Sequence, residues 1–240
     1  MATIATGSPT TRSDGERHHR WSVARITGLA YLGLAACGLT GQLIRNELDA
    51  PDAAGTRANL VAHEGLARLG IAADLGSVLT QALVAVGFFV LFRHVHAVAA
   101  ACVTAFGLVN AAMILVATVF STTALDTALG GGAGSLDRTM LLSDLQHTAW
   151  LTGGLFFGLW LIPMGWLAVR SGSMPRVLGW TLVAGGVGYV LSTYAQALLP
   201  DTSWPADLLL VPATVAELWM IGYLLLKGIA DAGDPVDEAR

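Results

Sequence analysis

The chain has 240 residues, 54% of them apolar and 12% charged, with a mean hydropathy of +0.62 and a net charge of −4. The apolar residues come in long, nearly charge-free runs, each near the ~20 residues needed to cross ~30 Å of hydrocarbon. That distribution excludes a soluble globular fold, and the lack of any basic block excludes nucleic acid as a partner.

Met1 to Arg20 is polar, lacks apolar periodicity and reads as a disordered cytoplasmic tail. The apolar run after it, Val23 to Ile44, is too long for the ~7–15-residue core of a signal peptide and predicts a first span. Within it Gly33, Cys37 and Gly41 recur every fourth position, giving a face on which another helix can pack closely. Arg45 to Ala62 is polar and leaves the membrane, and Ala58 to Leu69 is helix-like, with Glu64 and Arg68 spaced to pair.

A second span runs from about Gly70 to Phe92 and carries Asp74, Ser77 and Gln81 on one helical face. Arg93 to His96 makes a tight turn into a third span, Ala97 to Phe120, with Asn110 near its middle. Ser121 to Thr139 contains Gly130-Gly-Gly-Ala-Gly134 and is expected to be a flexible loop. The fourth span, Leu141 to Val169, opens near Asp144 and His147 and contains the packing signal Gly154-x-x-x-Gly158. The fifth is Val177 to Leu199, with Tyr189, Ser192 and Gln196 on one face. The sixth, Leu208 to Leu226, has Glu217 near its centre, and an acidic cytoplasmic tail covers 229–240.

The expected fold class is thus all-α, an integral membrane bundle of six transmembrane helices over 21–228. Six spans place both termini on one side. That side holds Arg12, Arg17, Arg20, Arg25, Arg93, Arg170, Arg176, Lys227 and Arg240, against Arg45, Arg57, Arg68 and Arg138 opposite. The excess predicts cytoplasmic termini. Arg dominates over the single Lys227, and Ala and Gly are abundant, a bias that suits a bacterial inner-membrane protein from a GC-rich genome. Trp21, Trp166 and Trp180 near one surface and Trp150 and Trp204 near the other suit interfacial anchoring. Cys37 and Cys102 fall at different depths and read as small packing residues. A faint internal echo links Arg25-Ile-Thr-Gly28 with Arg176-Val-Leu-Gly179, and Ala73-Asp-Leu75 with Ala216-Glu-Leu218.

Four sequences taken together resemble a known family. They are Arg25-Ile-Thr-Gly-Leu-Ala-Tyr31, Glu64-Gly-Leu-Ala-Arg-Leu-Gly-Ile-Ala-Ala-Asp74, Gly153-Gly-Leu-Phe-Phe-Gly158 and Arg170-Ser-Gly-x-x-Pro-Arg-x-Leu-Gly179. They are similar to the domain of unknown function 4386 family of bacterial polytopic membrane proteins, over roughly Arg25 to Gly228. The resemblance implies a membrane protein and assigns no reaction, so no catalytic role comes with it.

An ionisable side chain inside a bilayer costs ~2.5–3.5 kcal/mol on insertion scales and usually faces protein or water. Asp74 and His147 are expected ~7 Å below the outer surface, and Asn110 and Glu217 ~13 Å below it. These four, with Gln81 along the Asp74 face and Arg68 at the mouth, are the candidate ligand-binding residues. They either line an outward-facing polar cavity for a small molecule or cation, or satisfy one another as a structural network. His147 is expected to be a hydrogen-bonded interior residue.

Two other classes compete: a non-catalytic membrane scaffold, and a membrane metal hydrolase using His63, Asp74 and His147. The second is disfavoured because His63 and Asp74 stand ~16 Å apart on a continuous helix and no His-x-x-x-His spacing occurs. No catalytic residue, metal site or cofactor is assigned. The bilayer is the expected partner, and nothing in the sequence speaks to oligomeric state.

Overall fold

The structure, a computed structural model, describes residues 10–199 and 203–228, with side chains from 21 to 199 and from 208 to 228. The described residues form seven helices and no strand. They are α1 (Thr10–Leu48), α2 (Ala53–Ala62), α3 (Glu64–Phe92), α4 (Ala97–Gly130), α5 (Ser135–Ser171), α6 (Arg176–Leu198) and α7 (Ser203–Leu226). All but α2 are long and apolar enough to cross a membrane. The chain is therefore a multi-pass membrane protein, with a short extra helix on the side away from the termini.

Several boundaries differ from the sequence reading. α1 begins at Thr10, inside the stretch read as a tail, while residues 1–9 and 229–240 lie outside the described residues. The expected loop from Ser121 to Thr139 shrinks to four residues, Gly131 to Gly134, of which Gly131, Gly132 and Gly134 have positive φ. The third span continues ten residues beyond Phe120, and there Thr122, Thr123 and Thr127 satisfy their hydroxyls on the carbonyls four residues earlier. Leu125 and Ala128 meanwhile pack against Leu48 and Leu60. Polar residues there satisfy the helix instead of breaking it.

The segment Ala58 to Leu69 is likewise two helices, broken at His63. Asp52 caps α2 by accepting from the Gly55 N–H (2.6 Å), and Asn59 donates to the Leu48 carbonyl (3.2 Å), so α2 is tied to the end of α1.

The six long helices form a closed ring in the order α1, α3, α4, α5, α6, α7 and back to α1. α1 and α7 touch less than any other pair of neighbours in that ring. The small face of α1 packs on α3 as its spacing predicted. A Cβ on Gly33 would sit 3.0 Å from Thr80, and one on Gly76 would sit 2.8 Å from the Cys37 sulfur. Both cysteines are free and half-buried.

α5 and α6 approach each other backbone to backbone. A Cβ on Gly158 would lie 2.7 Å from the Gly186 carbonyl oxygen, and one on Gly186 would lie 2.7 Å from the Gly158 carbonyl. Gly165 and Gly179 face each other in the same reciprocal way. Each helix thus presents two glycines seven residues apart, the repeat that keeps a seam on one face of an antiparallel pair. Gly154 stands apart from this seam, with its nearest neighbours at 3.5 and 3.7 Å. On its other side α6 sets Gly185 and Gly188 against the α7 backbone at Ala213 and Leu209.

The core lies towards the terminus side. Tyr31, Phe88 and Trp160 meet edge to face with centroids 5.6–6.2 Å apart, and Phe92 stacks on Phe88 at 5.8 Å. Such pairs contribute ~0.5–1.5 kcal/mol beyond the area they bury.

Candidate functional site

α1 is held from both of its ring neighbours by an acidic side chain. On the α3 side, Asp74 pairs with Arg45 at 2.6 Å; the acid is 2% exposed and the Arg side chain 14%. On the α7 side, Glu217 Oε1 accepts a hydrogen bond from the Tyr31 hydroxyl at 2.7 Å. The two anchors on α1 are fourteen residues apart, or ~21 Å along the helix. The short sequence echo around Asp74 and Glu217 therefore places each acid against α1, but with different partners.

Arg45 lies on the face marked by Gly33, Cys37 and Gly41, one step further at the same spacing. Gly41 leaves room for Asp74, whose Oδ1 would be 2.6 Å from any Cβ there. The Arg45 guanidinium also lies 4.1 Å from the centroid of the Trp150 ring, a cation–π contact that closes over the middle of the bundle. Trp150, half-buried, thus covers one end of the cavity described next.

Beneath Trp150 is a cavity of about 230 Å³. Its polar groups are Tyr31, Ser77, Asn110, Tyr189, Thr214 and Glu217. The rest of its wall is aliphatic and aromatic, including Leu34, Ile114, Phe157 and Ile221. The Ser77 and Thr214 hydroxyls donate to carbonyls of their own helices, so they offer only their lone pairs to the cavity. The amide of Asn110 has no hydrogen-bond partner among the described residues, although the residue is 4% exposed. Phe157 stacks edge to face with Tyr189 at 4.9 Å. A single carboxylate, one free amide and a set of aromatic faces are what this cavity can offer a ligand.

The candidates read from the sequence divide between this cavity and other places. Asn110 and Glu217 line it. Asp74 is engaged by Arg45 and lines a separate cavity of about 50 Å³ under α2, together with Asp49 and Gln146. Gln81 is fully buried beside Trp160 near Gly107, and neither its amide nitrogen nor its amide oxygen has a partner among the described residues. Arg68 is exposed and pairs with Glu64 at 2.8 Å.

His147 is exposed as well, and the expectation of an interior histidine is corrected. The face of α5 that turns inward carries Gln146, Ala149 and Gly153, leaving His147 one residue out of register. His63, also exposed, has its Nδ1 3.2 Å from the Asn59 carbonyl. Among the described residues no three His, Cys, Asp or Glu side chains are grouped to hold a metal.

Tyr31, Arg45, Trp150 and Tyr189 are the site residues that were not singled out as such. The only advance signal was register: Arg45 continues the small-residue face, and Tyr31, Leu34 and Gly38 share the adjoining face.

No curated protein and no solved structure matches the chain. Residues 26–228 match the family described as Domain of unknown function (DUF4386), and with that match covering most of its length the chain belongs to the DUF4386 family of membrane proteins.

Proposed function

We propose that the protein binds a small amphiphile, carrying a cationic or hydrogen-bond-donating group, in the cavity beneath Trp150. The observation that supports this most is Glu217: a carboxylate held by one tyrosine hydroxyl in a wall that is otherwise mainly apolar. Ionisable residues at membrane depth are costly and mark ligand or ion sites more often than packing. Concave, largely apolar sites with a few convergent polar groups are the usual form of small-molecule pockets. Phe157 and Tyr189 supply ring faces that attract a cation, and Asn110 supplies a free amide.

Entry is through the α1–α7 seam. It is the thinnest contact of the ring, and Ala35 and Gly38 on one side and Thr214 and Leu218 on the other all line the cavity. Thr214 and Leu218 are exposed towards lipid. On this reading the ligand comes from the hydrocarbon.

Native mass spectrometry of the detergent-purified protein tests the reading. A small molecule should accompany wild type and be lost from Glu217→Gln, which keeps the shape and removes the charge. It should also be lost from Gly154→Trp, which fills the cavity from a position with no backbone in contact. A drop of about tenfold in occupancy corresponds to ~1.4 kcal/mol of binding. Retention of the same molecule by both variants would overturn the assignment.

We further infer cytoplasmic termini in a bacterial inner membrane, from the Arg excess on the terminus side. Reporters fused after Ala50, His96, Gly132, Ser173 and Arg240 should read out, in, out, in and in. An outside signal at Arg240 would reject it.

A further inference from the structure

A second cavity lies on the terminus side, away from the Glu217 site. It is a groove of about 490 Å³ between α4, α5 and α6. Cys102 and Phe106 of α4, Leu159 and Pro163 of α5 and Val183 of α6 form its apolar walls. At the end facing the turns it is bordered by His96, Trp166 and Trp180. The distance along α4 from His96 to Phe106 is ten residues, or ~15 Å. That is half of the ~30 Å hydrocarbon thickness, the depth of one leaflet.

The rim of this groove has one sign of charge. The turns that border it hold Arg93, Arg170 and Arg176, and no acidic residue. Among the described residues, none of these three Arg pairs with a carboxylate. Arg170 instead lies 5.1 Å from the Trp166 ring centroid, and the His96 and Trp166 rings meet edge to face at 5.2 Å. The guanidinium thus lies beside an indole that lines the groove, with no carboxylate partner among the described residues. Trp166 and Trp180 occupy the level where indole rings meet lipid headgroups. Basic pockets between transmembrane helices at that level suit anionic headgroups.

We infer that this groove is a binding site for an anionic phospholipid. One acyl chain lies along the α4–α5–α6 walls, and the phosphate meets Arg170 at the rim, with His96 beside it. A zwitterionic lipid can present the same chain, so selectivity for the anionic lipid comes from the uncompensated rim charge.

The test uses the full chain reconstituted in phosphatidylcholine vesicles that contain a minor fraction of lipid brominated on the acyl chain. Bromine quenches nearby Trp fluorescence, and two Trp line the groove. Brominated phosphatidylglycerol should quench more strongly than brominated phosphatidylcholine at equal mole fraction. Arg170→Gln, a change at an exposed position, should abolish that difference, while Arg138→Gln on the opposite side should leave it intact. Cys102→Phe, which fills the groove, should reduce quenching by both lipids. Inorganic phosphate, compared with chloride at equal ionic strength, should not compete. Equal quenching by the two headgroups in wild type, or a preference that survives Arg170→Gln, would overturn the inference. Loss of the preference to inorganic phosphate would also overturn it, because the site would then take a free anion.

Discussion

Arg45→Leu should destabilise the bundle by about 3–5 kcal/mol, the range seen when one partner of a buried ion pair is removed. The cost falls on Asp74, which is 2% exposed and has Arg45 as its one ion-pair partner among the described residues. With the guanidinium gone, its carboxylate stays enclosed between α1 and α3, above Ser77 and against Gly41. Trp150 loses its cation–π partner in the same step.

The double change Arg45→Leu with Asp74→Leu should recover most of the loss, since apolar replacement of both partners is often neutral. Denaturation of the purified protein in detergent, read by helix signal, separates these outcomes. A single variant as stable as wild type would show that the pair is not holding α1 to α3.

Gly158→Ala should have the next largest effect, at about 1–3 kcal/mol or more for an overpacked site. Its new Cβ would stand 2.7 Å from the Gly186 carbonyl oxygen and 2.8 Å from the Tyr189 Cβ, and a backbone oxygen cannot swing aside. The α5–α6 pair must then separate, and Gly165→Ala should add a similar loss because Gly179 opposes it in the same way. Gly154→Ala is the internal control. Its neighbours at 3.5 Å and beyond are ordinary contacts, so folded yield should match wild type. Equal loss at 154 and 158 would mean that the glycine seam is not where the two helices touch.

These residues also show how far the sequence carried. Six spans, their turns and the packing face of α1 follow from hydropathy and a four-residue spacing, which are local properties of one helix. The same locality explains why Glu64 and Arg68 were paired correctly. It also explains why the Ser121–Thr139 loop was overextended: polar Thr residues and glycines look like a loop until their hydroxyls find carbonyls four residues back. At Gly154-x-x-x-Gly158 the motif located a glycine seam, but its true repeat is seven residues, through Gly165, because the antiparallel partner α6 sets it.

The site itself was decided by the ring. Which acid meets which donor depends on how α3 and α7 rotate against α1, and no single-helix pattern contains that angle. Asp74 and Glu217 were legible as buried acids; their partners Arg45 and Tyr31 were not, since both lie on α1, 29 and 186 residues away in sequence. His147 looked equally interior by depth. The rotation of α5 gives its inward face to Gln146, Ala149 and Gly153 instead, so depth was legible in the sequence and azimuth came only with the fold.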